Sequence, residues 1–205
     1  MIEPAVAQLT VAGARLLTGT QARWVGCQPP DDKPRIYFAN HTSHMDFILL
    51  CSALPPRFRQ KIRPVAASDY WNRGTLRQYM IHQVFRGVLV DRIGAARTVN
   101  PIEPMIEALD HGESLILFPE GTRGTGEELQ PFKCGIFHLA QTRPRVELVP
   151  VWMDNAYRVM PKGALVPVPL FCSVTFGTPT FLRPDETKET FLARIRQAVV
   201  ELSKQ

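Results

Sequence analysis

Six short runs rich in apolar and β-branched residues, at 35–39, 64–67, 87–90, 114–118, 147–152 and 171–176, are separated by segments of a different period. Runs of this length, bounded by Gly, Pro and polar residues, have the character of strands buried on both faces. The intervening segments near 43–54, 73–85, 102–109 and 135–141 read as helices; in the first, Phe47, Leu50 and Leu54 recur three and four residues apart. Such alternation predicts an α/β sandwich in which a central, largely buried mixed sheet is flanked by helices. A closing surface helix is expected over 187–204, where Phe191, Ile195, Val199 and Leu202 share a face and Asp185 and Glu186 lie near its positive end.

A chain of 205 residues with 45% hydrophobic composition is long enough to bury one sizeable core, and a single domain over 29–205 is expected behind an N-terminal helix and linker at 1–28. In that helix Val6, Leu9, Gly13, Leu16 and Leu17 recur at helical spacing, with Arg15, Arg23 and Trp24 following or interrupting them. It either covers the core or lies in a membrane interface. The composition excludes disordered, collagen-like and disulfide-scaffold classes. No apolar stretch of about 18 residues is present to span a bilayer, and the start lacks a secretory leader. Cys27, Cys51, Cys134 and Cys172 form no C-x-x-C pair and read as reduced, mostly buried thiols of a cytoplasmic protein.

The net charge is +5, and it is unevenly placed. Between Arg57 and Arg97 nine basic residues stand against two acids, Asp69 and Asp91. That excess fits a solvated basic face, or an anionic partner such as a phospholipid surface, a phosphorylated substrate, an acidic carrier protein or nucleic acid.

Three constellations carry chemistry. In Asn40-His41-Thr42-Ser43-His44-Met45-Asp46 an imidazole and a carboxylate lie five residues apart after a probable strand. On one regular helix they would point about 140° apart, so they can meet only if the helix starts between them. Asp46 would then accept the Nδ1 proton and leave Nε2 as a base. A structural His41 is the alternative; a zinc site from His41, His44 and Cys51 or Asp46 matches no common ligand spacing. In Phe118-Pro119-Glu120-Gly121-Thr122-Arg123-Gly124 the glycines leave backbone N–H groups accessible, and Arg123 adds a planar double donor. This is an anion cradle or an ordinary turn; it is neither a Walker loop nor a dinucleotide fingerprint. The run 85–92 is a strand with cations at both ends, Arg92 reaching the same pocket as Arg123 or pairing with Asp91.

Taken together and in this order, the blocks resemble the PlsC-like glycerolipid acyltransferases, the 1-acylglycerol-3-phosphate acyltransferase family. Asn40, His41 and Asp46 match its N-H-x-x-x-x-D block, Gly87 and Arg92 its glycine-led strand ending in Arg, Phe118 to Arg123 its F-P-E-G-T-R block, and Val149-Pro150-Val151 its apolar V-P-V strand. Phe132-Lys133-Cys134-Gly135 resembles the segment after the third block, while Gly124 stands where the family often has Ser. Many bacterial members carry membrane-spanning helices, which this sequence lacks; the basic segment and N-terminal helix would have to hold it peripherally to the inner membrane.

The resemblance implies His41 as general base oriented by Asp46, and substrate binding by Gly87, Arg92, Glu120, Gly121, Thr122 and Arg123. It implies a lysophospholipid acceptor, acyl-CoA or acyl carrier protein as donor, a membrane surface as partner, no nucleic acid, and no metal or organic cofactor. The acyl chain needs an apolar groove, expected near the Val149 strand and the Pro-rich stretch at 160–169. A hydrolase is the rival enzyme, but no G-x-S-x-G elbow is present. A non-catalytic module that holds anionic lipid, with His41 structural, is the rival of another class.

Overall fold

The computed structural model describes residues 3–43, 45–91, 100–124, 126, 128–159 and 168–205. Arg92, His44 and most of the Pro-rich stretch therefore lie outside the described residues. Among the described residues seven strands form one sheet: β1 (Gln21–Trp24), β2 (Arg35–Ala39), β3 (Ile62–Ala67), β4 (Val88–Val90), β5 (Ser114–Leu117), β6 (Glu147–Asp154) and β7 (Ser173–Phe176). Their order is β1-β7-β6-β2-β5-β3-β4. Every neighbouring pair is parallel except β6 with β7, so the sheet is mixed, as expected.

The central strand β2 is buried on both faces, which is why its sequence is an unbroken apolar run after Arg35. Tyr37 and Ala39 enter a core shared with α1 (Glu3–Thr18) and α2 (Asp46–Ala53). Ile36 and Phe38 enter the opposite core, closed by α5 (Glu103–Asp110), α6 (Gly135–Thr142) and α8 (Lys188–Leu202). In α8 the residues Phe191, Ile195, Val199 and Leu202 are the buried stripe that their spacing predicts. Its first turn is capped by Thr187, whose side-chain oxygen accepts the Thr190 N–H.

Two local expectations change. Residues 1–28 contribute more than a helix and linker, because β1 joins the sheet edge by parallel pairing with β7, where Trp24 stacks on Phe176 at 4.1 Å. A separate short helix, α3 (Ser68–Trp71), precedes the helix expected over 73–85, which runs unbroken from α4 (Thr75–Gln78) into a π turn (Tyr79–Val84). Gly74, at φ +85°, turns the chain between the first two. A fourth short helix, α7 (Ala156–Val159), follows β6.

On α1 the buried side is Val11, Ala14 and Thr18, whereas Leu9 and Leu16 point outward. No helix among the described residues is long and apolar enough to cross a membrane. Cys27, Cys51 and Cys172 are buried, and burial pushes the Cys51 thiol up to about 12 and that of Cys172 to about 11. Cys134 alone among the cysteines is exposed.

Candidate active site

Beyond the C-terminal end of β2 the chain makes the turn that carries the first constellation. Asn40, buried at its start, fixes the turn to β6: its side-chain amide donates to the Met153 carbonyl at 3.0 Å and its oxygen accepts the Met153 N–H at 2.8 Å. Helix α2 begins at Asp46, after the turn, so the helix does start between His41 and Asp46. Asp46 Oδ2 lies 2.8 Å from His41 Nδ1 and also accepts the backbone N–H groups of Thr42 at 2.6 Å and Ser43 at 2.8 Å. A carboxylate oxygen that already gathers two N–H donors is an acceptor, so in the neutral ring the proton of the third contact sits on Nδ1 and Nε2 carries the lone pair. The positive end of α2 further favours an anion at this position. Asp46 is fully buried, and its Oδ1 has no hydrogen-bond partner among the described residues.

The loop after β5 grips this turn. Glu120 Oε1 accepts the His41 N–H at 2.7 Å, and the Gly124 N–H donates to the His41 carbonyl at 2.8 Å. Glu120 Oε2 accepts the Gln130 N–H at 2.8 Å. The His41 ring stacks on Phe118 with centroids 4.3 Å apart and planes at 19°. Burial pushes the Glu120 carboxyl above its ordinary range, although the N–H groups of Gln130 and His41 pull the other way. Gly121 adopts φ +70°, and a Cβ there would meet the Lys133 side chain at 2.9 Å. Lys133 is held in that position by its own N–H, which donates to the Pro119 carbonyl at 2.8 Å.

His41 lines a cleft of about 900 Å³. Its polar end carries Phe118, Gly121, Thr122, Arg123 and Lys133. Neither Arg123 nor Lys133 has an ion pair among the described residues, so two cations without a carboxylate partner line the same cleft as the imidazole. The remainder is largely apolar, with Val65 and Ala67 of β3, Trp71 of α3, Met105 of α5 and Ile136 of α6 among its walls. Such a combination suits a ligand with an anionic head and a hydrocarbon tail.

Of the residues predicted from sequence, His41, Asp46, Gly121, Thr122 and Arg123 come together at this cleft, Asp46 through its contact with His41. Glu120 does not line it: the side chain is turned inward, 4% exposed, with both oxygens on backbone N–H groups. Gly87 lines a different surface groove with Arg63, Arg86 and Glu113. A Cβ at Gly87 would collide with Ile81, so its need for glycine is packing under the π turn. Arg92 lies outside the described residues. The apolar groove is not beside Val149, which is fully buried in the sheet core; the cleft runs between β3 and α6 instead. Lys133 and Phe118 are the contributors that the sequence reading did not single out. The only signal for Lys133 is its place in the segment following the third block.

Residues 22–154 match the family model described as Acyltransferase. The chain belongs to the acyltransferase family. Among its relatives, the 1-acyl-sn-glycerol-3-phosphate acyltransferase of Salmonella typhimurium is 30% identical over 142 residues, covering 64% of this chain and 53% of the relative. The protein of that name from Saccharomyces cerevisiae is 27% identical over 165 residues, 74% of this chain and 51% of its own. A relative from Chlamydomonas reinhardtii, again a 1-acyl-sn-glycerol-3-phosphate acyltransferase by name, is 28% identical over 66% of this chain and 38% of its own. This acyltransferase chain thus spans about half or less of the length of those relatives. The crystal structure of the 1-acyl-sn-glycerophosphate acyltransferase PlsC from Thermotoga maritima superposes with a TM-score of 0.72 at 22% identity, covering 98% of this chain and 80% of that one. The shared fold is therefore that of a PlsC acyltransferase domain.

Proposed function

We propose that this chain transfers a fatty acyl group from the thioester of acyl-CoA or acyl carrier protein to the hydroxyl of 1-acylglycerol-3-phosphate at a membrane surface. The carrying observation is the His41–Asp46 pair at 2.8 Å on a cleft that also holds Arg123 and Lys133. With Nδ1 committed to Asp46, Nε2 takes the proton of the acceptor hydroxyl as its oxygen attacks the thioester carbonyl carbon. Asp46 stabilises the imidazolium that forms. The tetrahedral oxyanion then collapses, the carbon–sulfur bond breaks, and the departing thiolate takes the proton back from Nε2. A thioester is already activated, so this direct route needs neither an acyl-enzyme nor a metal or organic cofactor.

Arg123 and Lys133, with the N–H of Thr122, would hold the acceptor phosphate, the Gly121 N–H being committed to the Phe118 carbonyl. Glu120 is better assigned as a positioning residue, because a carboxylate facing that phosphate would repel it while one gripping the His41 main chain keeps the base in place. The test is a transfer assay with a radiolabelled acyl thioester, with and without 1-acylglycerol-3-phosphate. Label appearing in phosphatidic acid only when the lysolipid is present supports the reading. Thioester cleavage at the same rate without the lysolipid overturns it in favour of a hydrolase.

A further inference from the structure

Every residue from Asn72 to Tyr79 is exposed, an unusual length of chain to leave outside in a domain of this size. Leu76 is 73% exposed and Tyr79 is also turned outward. Arg73 and Arg77 stand between and before them, with no acidic partner among the described residues. The segment borders the cleft, since Tyr70 and Trp71 immediately before it line that cavity and the Arg77 guanidinium lies 4.5 Å from the Tyr70 ring centroid. The π turn that follows packs on α1, whose outward side shows Leu9 at 73% and Leu16 at 89% exposure beside Arg15. Apolar side chains interleaved with unpaired guanidinium groups suit a bilayer, where one enters the acyl boundary and the other meets lipid phosphates. A soluble acidic carrier would need the arginines and gain little from Leu76.

We propose that residues 72–79 form the docking surface for an anionic phospholipid bilayer, with Leu76 and Tyr79 entering the headgroup boundary and Arg73 and Arg77 pairing with lipid phosphates. The cleft then opens onto the membrane, and a lysolipid enters it without crossing water. What passes through the cleft rests on the acyl-transfer reading; the docking itself does not.

The experiment is co-sedimentation of the full chain with phosphatidylcholine vesicles containing phosphatidylglycerol, alongside transfer assays on a short-chain lysolipid dissolved as monomer. Leu76→Asp is expected to weaken vesicle binding about tenfold, and Arg73→Gln with Arg77→Gln about fivefold for each charge removed, an effect that salt mimics. All three positions are exposed, so the variants should keep the wild-type circular dichroism and activity on the monomeric acceptor. Vesicle binding at wild-type strength in Leu76→Asp and in the double arginine variant overturns the proposal. So does binding that needs the arginines but ignores Leu76, which shows adsorption by charge alone with no side chain entering the bilayer. Should the wild type bind vesicles in the expected pattern yet transfer no acyl group, the docking surface stands and the acyl-transfer reading falls.

Discussion

At His41 four separate contacts converge: Asp46 on Nδ1, Phe118 on the ring face, Glu120 on the main-chain N–H and Gly124 on the carbonyl. Removing the imidazole deletes the first two and keeps the two main-chain contacts that hold the turn, so His41→Ala is expected to lower kcat by about 10² to 10⁴ with an unchanged far-ultraviolet spectrum. Asp46→Asn can keep all three contacts by placing its amide oxygen where Oδ2 sits, so it removes the charge that stabilises the imidazolium and should also lower kcat; steady-state kinetics on both variants check this. Glu120 makes a different prediction. Its carboxyl titrates above the ordinary 4.5 in the folded chain because burial disfavours the charge. The folded state therefore binds its proton more tightly than the unfolded chain, and the resulting stability is present below 4.5 and lost as pH rises through the folded value. The thermal stability of the wild type relative to Glu120→Gln should accordingly fall as pH climbs above 4.5, which a calorimetric pH series would show. The meeting of His41 and Asp46 is legible in the sequence, since five-residue spacing across a helix start leaves few other geometries. The inward turn of Glu120 is not, because it depends on how the β5 loop crosses the β2 turn, a contact between residues 79 positions apart.

Among the elements, β2 to β7 and α8 are readable because their apolar period matches their burial. β1 is not: Gln-Ala-Arg-Trp has no β-branched residue and becomes a strand by pairing with Ser173–Phe176. The start of the helix expected over 73–85 is written in Gly74, yet nothing in the helical pattern announces that its second half is a π turn. The loop after β5 offers the element-scale test. At Gly121 a positive φ coincides with the Lys133 side chain against the Cβ position, so Gly121→Ala should cost about 1 kcal/mol of stability and displace Lys133. If Lys133 helps to hold the acceptor phosphate, the KM for the lysolipid should rise with kcat little changed. An unaltered KM would argue against Lys133 in that role.

For the molecule as a whole, the two cores lie on opposite faces of one sheet, and the N-terminal residues close one of them. Val11 and Ala14 of α1 are buried in the core that receives Tyr37, and Trp24 covers Phe176. A chain beginning at residue 29 would strip both and leave the β7 edge unpaired, so it should aggregate or lose at least about 2 kcal/mol of stability. Solubility and thermal denaturation measured beside the full chain would decide. Wild-type behaviour would restore the view of 1–28 as a dispensable helix and linker. The hold of the β5 loop on the β2 turn has a mechanical consequence as well. The Gly124 N–H that holds the His41 carbonyl follows Arg123 directly in the chain, so a displacement of that arginine would reach the backbone beneath the imidazole through a single peptide link.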